Sequence, residues 1–204
     1  MYSWQLISRL GESAYLLPSA LFIALWLCYR RTPGSALLWL AAVAVAAGLT
    51  LISKLAFMGW GMGIPALDFT GVSGHSAVSA AVLPVLLYLS APTTRHGLAR
   101  FSAYCGVGLA LLIGWSRLVL HTHSLSEVLA GLTLGLAASL TFLNWRRANA
   151  LPRSVAPLIG TLAFFSAIHG LPVPYFVDNT HYWVERTAVR LSGRDFPYRR
   201  GERG

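Results

Sequence analysis

Residues 36–57 read ALLWLAAVAVAAGLTLISKLAF, an apolar run of 22 residues that carries one charged side chain, Lys54. A transmembrane helix needs about 20 consecutive apolar residues to cross the hydrocarbon core of a bilayer. Further apolar runs occur at residues 13–29, 76–91, 101–115, 128–145 and 155–169. The sequence therefore predicts an all-α, polytopic membrane helical bundle with about six transmembrane helices.

The composition of the whole chain agrees with a membrane protein. Of the 204 residues, 55% are hydrophobic and 11% are charged, whereas soluble domains carry about 25% charged residues. This composition excludes a soluble globular domain, and the abundance of apolar residues excludes a disordered chain. The net charge of +9 does not indicate a nucleic-acid-binding protein, because the loop arginines of a membrane protein account for it.

The distribution of arginine predicts which helix ends face the cytoplasm. Seven arginines lie in alternate connections between the spans: Arg30, Arg31, Arg95, Arg100, Arg146, Arg147 and Arg153. Cytoplasmic loops are enriched in Arg and Lys, so the opposite loops are predicted to face the outside of a bacterial inner membrane. Residues 1–170 form the predicted six-span domain, and residues 171–204 form a basic C-terminal tail with six further arginines.

Seven residues at the predicted ends of the spans converge on the outer face, because successive helices run in opposite directions. They are Lys54, Ser73, Gly74, His75, Arg117, His123 and Glu127. An ionisable side chain in the membrane is energetically costly, so its presence indicates a functional role or an internal partner. Each residue taken alone has a simpler explanation, such as snorkelling or helix capping. The convergence is what indicates a functional site.

Five of these residues form a predicted binding site for phosphate. Lys54 supplies a point charge, and Arg117 supplies a planar guanidinium that can hold two phosphate oxygens. Ser73 and Gly74 precede a helix, whose unpaired backbone N–H groups bind phosphate oxygens. His75 is expected beside that phosphate. The residue types therefore predict an anionic, phosphate-bearing ligand.

The other two residues predict a nucleophile. His123 and Glu127 are four residues apart at the start of a helix and hence lie on the same helix face. The carboxylate can accept the proton of one ring nitrogen and leave the other nitrogen free for attack. His121, two residues before His123, is interpreted as a loop residue, and His96 as one of the basic residues on the cytoplasmic side.

These stretches resemble the signatures of the type 2 phosphatidic acid phosphatase family, which comprises membrane and soluble phosphatases with a helical core. Ser116-Arg117, followed by His123 and Glu127, resembles the third signature. Ser73-Gly74-His75 resembles the second signature, and Lys54 resembles the lysine that opens the first.

The resemblance implies hydrolysis of a phosphomonoester or pyrophosphate of a membrane lipid, with no metal ion or other cofactor. It implies that His123 attacks phosphorus to form a phosphohistidine, that Glu127 orients His123, and that His75 protonates the leaving alkoxide. A water molecule activated by the same histidine then releases phosphate. The residues implied to bind phosphate and to stabilise the transition state are Lys54, Ser73, Gly74 and Arg117.

Four positions depart from the family pattern. Gly61 and Met62 stand where the first signature has Arg-Pro, Val72 replaces a proline, and Glu127 replaces an aspartate. One phosphate-binding arginine is therefore missing. We hypothesise that a tail arginine, Arg194, folds back onto the site and supplies the missing cation.

Two other functions are compatible with the sequence. The stretch Gly71-Val72-Ser73-Gly74 also resembles the Gly-x-Ser-Gly motif of rhomboid intramembrane serine proteases, with Ser73 as nucleophile and His169 as its base. That interpretation leaves Arg117, His123 and Glu127 unexplained. A non-catalytic lipid-phosphate binder or transporter would need the cations but no nucleophile. In the leading interpretation, the partner is a lipid phosphate at the outer surface of the bilayer.

Overall fold

A computed structural model describes residues 2–92, 96–145, 151–169 and 180–200. These residues form α-helices joined by short connections and contain no β-strand. The helices are α1 Tyr2–Arg9, α2 Ser13–Tyr29, α3 Pro33–Trp60, α4 Gly74–Ser90, α5 His96–Val119, α6 Leu125–Trp145, α7 Ala156–His169 and α8 Thr180–Ser192. A short 3₁₀ helix, Pro65–Leu67, lies in the connection between α3 and α4. The prediction of an all-α fold is confirmed.

Helices α2 to α7 correspond to the six predicted spans. Four stretches of the described chain are long and apolar enough to cross a membrane: Tyr2–Tyr29, Pro33–Trp60, Gly97–Val119 and Leu125–Trp145. Helices α4 and α7 are also apolar but shorter. The 17 residues of α4 rise about 25 Å, which is less than the hydrocarbon core of about 30 Å. The prediction of a membrane helical bundle is confirmed.

Helix α4 is the central helix of the bundle. It packs against α2, α3, α5, α6 and α7, and most of its side chains are buried. Many of them are small, as at Ala77, Ala80 and Ala81. By contrast, large apolar side chains such as Leu37 of α3 and Leu111 of α5 are exposed, as expected for a surface in contact with lipid. Small residues on α4 allow the other helices to surround it closely.

Two glycines bring α6 against α4. A β-carbon at Gly135 would overlap the carbonyl oxygen of Ala77, and one at Gly131 would lie 2.6 Å from the carbonyl oxygen of Ser73. Small residues four positions apart permit such close helix contacts in membranes. Because of this contact, the N-termini of α4 and α6 are adjacent, and the Ser73 N–H donates to the backbone carbonyl of Glu127 at 3.1 Å.

Helix α8 and the residues after it pack on the C-terminal half of α3. Ala188 of α8 is buried, and its carbonyl oxygen lies against Gly59. Beyond α8, the Tyr198 N–H donates to the Met58 carbonyl at 2.8 Å. The described part of the tail is therefore a helix and an extension packed on the bundle. The predicted domain boundary at residue 170 lies outside the described residues.

Candidate active site

A cavity of about 940 Å³ lies at one end of the bundle. Its lining residues come from α2, α3, α4, α5 and α8, from the connections that precede α4 and α6, and from the end of the tail. Five of the seven predicted site residues line this cavity: Lys54, Gly74, His75, Arg117 and His123. Ser73 and Glu127 are fully buried next to Gly74 and His123, respectively. The structure therefore brings together residues that lie up to 73 positions apart in the sequence.

His123 is held by the carboxylate of Glu127. His123 lies in the connection between α5 and α6, and Glu127 lies in the first turn of α6. The His123 Nδ1 atom is 2.6 Å from Glu127 Oε2. An ionised carboxylate accepts hydrogen bonds but does not donate them, so the proton of the neutral ring resides on Nδ1. The Nε2 atom then has a free lone pair.

The environment of His123 favours its neutral form. Burial lowers the pKa of His123 below its ordinary value, although the hydrogen bond with Glu127 acts in the opposite direction. The positive charges of Lys54 and Arg117 also lower this pKa. A neutral imidazole with a free Nε2 can act as a nucleophile.

Glu127 accepts several further hydrogen bonds, which fix its orientation. Its Oε1 atom accepts from the Thr70 N–H at 2.7 Å and from the Thr70 hydroxyl at 2.6 Å. Its Oε2 atom accepts from the Ser124 N–H at 3.2 Å. These donors stabilise a buried charged carboxylate. The glutamate in place of the family's aspartate therefore still reaches the histidine one helical turn away.

Two cations and a helix N-terminus surround the cavity. The Lys54 ammonium lies close to Gly74, where a β-carbon would be 3.8 Å from Nζ. The Arg117 Nη1 atom donates to the Ser8 hydroxyl of α1 at 2.5 Å. The Arg117 Nε atom is buried and has no hydrogen-bond partner among the described residues. Because the first N–H groups of α4 also lack intrahelical partners, this end of the cavity is rich in donors.

Two of the departures from the family pattern have a structural explanation. The Val72 N–H donates to the Ser53 hydroxyl at 3.0 Å, a bond that a proline could not form. Gly61 ends α3 with a φ of +70°, and the ring of Tyr198 lies over it, 3.3 Å from where a β-carbon would be. The missing side chain at position 61 therefore leaves room for the tail.

The tail does reach the site, but not through the arginine that the sequence suggested. Arg194 is exposed, and its guanidinium lies 3.9 Å from the centre of the Tyr198 ring, so the hypothesis for Arg194 is wrong. Arg200 reaches the site instead. Its Nη2 atom donates to both carboxylate oxygens of Glu127 at 2.9 Å, and its Nη1 atom pairs with Asp68. The docking of Tyr198 beside α3 places the tail so that Arg200, and not Arg194, meets the cavity.

The structure adds residues that sequence reasoning missed, above all Thr70, Ser8 and Arg200. Thr70 and Ser8 belong to no recognisable motif, and the only signal for Arg200 was the abundance of arginine in the tail. His121 is exposed, as expected of a loop residue. The side chains of His96 and His169 lie outside the described part of the chain.

Ser73, the nucleophile of the alternative protease interpretation, has a fully buried side chain. Its hydroxyl oxygen accepts a hydrogen bond from the Ser76 hydroxyl at 3.0 Å. The buried hydroxyl does not line the cavity and is better suited to holding the first turn of α4 than to attacking a substrate.

Comparison with known proteins identifies the family. Residues 57–151 match the PAP2 superfamily. A Klebsiella pneumoniae protein described as "Uncharacterized 22.5 kDa protein in cps region" is 47% identical over 156 residues, which cover 75% of this chain and 74% of that protein. The chain belongs to the PAP2 superfamily. Members of the PAP2 superfamily are generally phosphatases, and membership supports the class of phosphoric ester hydrolase for this chain. No solved structure matches the chain significantly.

The matched PAP2 region contains six of the seven site residues described above, and Lys54 lies three residues before it. Arg200, in contrast, lies far outside the matched region. The PAP2 match therefore covers most of the predicted site residues, but neither Lys54 nor the tail that reaches the cavity.

Proposed function

We propose that this protein is an integral membrane phosphatase that hydrolyses a phosphomonoester or pyrophosphate of a membrane lipid through a phosphohistidine at His123. The observation that carries this proposal is the hydrogen-bonded pair of His123 and Glu127 at a cavity that Lys54 and Arg117 also line. A protein that only binds lipid phosphate would need the cations but not the oriented imidazole.

The reaction begins when the Nε2 lone pair of His123 attacks phosphorus. The bond between phosphorus and the lipid oxygen breaks. His75, which takes up a proton as the anionic phosphate binds beside it, transfers that proton to the leaving oxygen. Water then attacks the phosphohistidine and gives a proton to His75, while the P–N bond breaks. Phosphate leaves, and both histidines return to their starting protonation states. Glu127 keeps the proton of His123 on Nδ1 in both steps.

The charge that develops on phosphorus oxygens is balanced by fixed donors. Lys54, Arg117 and the N-terminal amides beside Ser73 and Gly74 line or adjoin the cavity. The buried Arg117 Nε atom is a donor that a phosphate oxygen can satisfy. Such preorganised donors are usually the largest contribution to catalysis in sites of this type. We propose that they make a metal ion unnecessary.

The walls of the cavity fit the apolar part of a lipid. Apolar side chains line it together with the cations, namely Leu17, Leu51, Phe57, Met58 and Val184. Leu17 and Leu51 are also exposed, and we infer that the cavity opens toward the surface that faces lipid. By the arginine distribution, we place the site at the outer face of a bacterial inner membrane. Candidate substrates are polyprenyl pyrophosphates, phosphatidic acid, phosphatidylglycerol phosphate and lipid A phosphates.

The test is phosphate release by the full chain purified in detergent, with each of these four lipids in mixed micelles. His123→Ala is expected to abolish release, and the matched control His121→Ala, two residues away and exposed, is expected to retain it. Release by His123→Ala at the wild-type rate would refute the mechanism. Binding of all four lipids without release by the wild type would support a non-catalytic binder instead.

A further inference from the structure

Arg200 connects the end of the described tail to the most buried carboxylate of the site. Glu127 is fully buried, whereas 41% of the Arg200 side chain is exposed. The Arg200 guanidinium contacts Glu127 through Nη2 and Asp68 through Nη1. A buried carboxylate is costly unless it is paired and hydrogen-bonded. Arg200 thus supplies a positive charge to Glu127 from the surface of the bundle.

The position of Arg200 depends on a defined contact between the tail and α3. The Tyr198 ring packs over Gly61, and the Tyr198 N–H donates to the Met58 carbonyl at 2.8 Å. A side chain at position 61 would occupy the space of this ring. The Arg194 guanidinium lies on the ring of Tyr198 and donates to its hydroxyl at 2.8 Å. The tail is therefore held on both sides of Tyr198, two residues before Arg200.

We propose that Arg200 is a positioning residue of the active site, which acts on His123 through Glu127. This inference rests on the proposed phosphatase function. Arg200 Nη2 and His123 Nδ1 both contact the same oxygen, Glu127 Oε2. Arg200 thereby fixes the carboxylate that orients His123 and offsets the repulsion between that carboxylate and an incoming phosphate. The C-terminal tail is consequently a part of the active site.

Because the Arg200 guanidinium and the His123 ring contact the same carboxylate oxygen, we expect the positive charge of Arg200 to act on the titration of His123. A cation beside His123 disfavours the protonated imidazole, so removal of Arg200 makes His123 easier to protonate. Several other charged or titratable groups line the same cavity: Glu12, Lys54, His75, Arg117, His181, Glu185 and Arg199. These groups remain unchanged when Arg200 alone is replaced, so the difference between wild type and variant isolates the contribution of Arg200.

The experiment compares the full-length wild type with Arg200→Gln, Arg200→Lys and the matched control Arg190→Gln, which removes an exposed arginine of α8. For each protein, kcat and KM for phosphatidic acid in detergent micelles are measured across pH. Arg200→Gln is expected to lower kcat about tenfold with little change in KM. It is also expected to move the acid limb of the kcat/KM–pH profile, where activity is lost as His123 becomes protonated, to higher pH. Arg200→Lys keeps the charge, so its acid limb should stay at the wild-type pH while kcat recovers in part.

NMR titration of His123 provides a readout that does not require turnover. The titration midpoint is expected to rise in Arg200→Gln and to stay at the wild-type value in Arg190→Gln. Tyr198→Ala removes the ring that packs over Gly61, and this variant is also expected to raise the titration midpoint of His123. An unchanged midpoint in Arg200→Gln would overturn the inference, as would a higher KM with unchanged kcat and acid limb. Failure of the proposed function has a different signature: the His123 midpoint still rises in Arg200→Gln, but the wild type releases no phosphate.

Discussion

Replacing Glu127 by Gln removes a charge while nearly preserving the shape of the side chain. In the wild type, both carboxylate oxygens only accept hydrogen bonds. Oε1 accepts from Thr70, Oε2 accepts from His123 and Ser124, and both accept from Arg200. A glutamine has one oxygen and one NH₂ group, which can only donate. The glutamine NH₂ group must therefore face one of these two sets of donors. There, either two donors face each other or a ring proton moves to another nitrogen.

The orientation with the glutamine NH₂ toward Thr70 leaves the partly buried Thr70 N–H facing a donor, which costs about 1–3 kcal/mol. In the other orientation, the NH₂ donates to His123 Nδ1 and the ring proton moves to Nε2, where it blocks attack. In the Ser-His-Asp enzymes, the analogous Asp→Asn change lowers kcat about 10⁴-fold. For Glu127→Gln we expect a loss of about 10³–10⁴-fold in kcat, equivalent to about 4–5.5 kcal/mol.

The assay is steady-state phosphate release from phosphatidic acid by protein in detergent, with helix content checked by circular dichroism. The matched control is Asp195→Asn, which converts an exposed acid of the tail to its amide and should retain activity. A kcat for Glu127→Gln within tenfold of the wild type would show that Glu127 does not set the tautomer of His123, and would refute the reasoning.

Four further predictions follow from the geometry. Burial lowers the pKa of His123 in the free protein, so the neutral nucleophile persists below its ordinary pKa. The acid midpoint of the kcat/KM–pH profile, which reports the free enzyme, should therefore fall below about 6.5; a midpoint above 6.5 would contradict this. Dialysis against EDTA should leave the rate of phosphate release unchanged, whereas a loss that added Mg²⁺ or Zn²⁺ restores would contradict metal independence. Arg117→Lys loses the planar guanidinium. Its kcat/KM should fall about 10–100-fold, the effect of losing one charge-assisted hydrogen bond. A wild-type kcat/KM would argue against phosphate binding by Arg117. Gly135→Ala should destabilise the bundle by about 1–3 kcal/mol, because the added methyl group would overlap Ala77. Gly48→Ala should leave the stability unchanged, because a β-carbon there has no neighbour within 4 Å. Thermal unfolding in detergent distinguishes the two variants.

Helices α2 to α7 were predictable because a span has to present apolar side chains to an apolar medium. The run at residues 36–57 lies within α3, Pro33–Trp60, and the other five runs likewise coincide with helices. The ends were less predictable. Residues 101–115 were the predicted span, but α5 covers His96–Val119, because a helix continues past the apolar segment as long as its backbone hydrogen bonds are satisfied.

The gathering of the site residues at one end of the bundle was also predictable, since alternating helix directions bring Lys54, His75 and Arg117 to the same end. The supporting contacts were not. Thr70 reaches Glu127 from a connection whose path depends on packing between helices. Arg200 reaches it only because Tyr198 docks over Gly61, and spacing along the sequence contains no information about that docking. Because this docking could not be predicted, the sequence did not distinguish Arg200 from Arg194, the arginine that follows α8 more closely.

Formation of a covalent phosphohistidine at His123 can be tested directly. The full chain is mixed with phosphatidic acid carrying ³²P in its headgroup, quenched in alkali, which preserves phosphohistidine, and digested for mass spectrometry. We expect ³²P on the peptide that contains His123 in the wild type and no label in His123→Ala. Release of labelled phosphate without any label on that peptide, at a rate that His123→Ala retains, would contradict it.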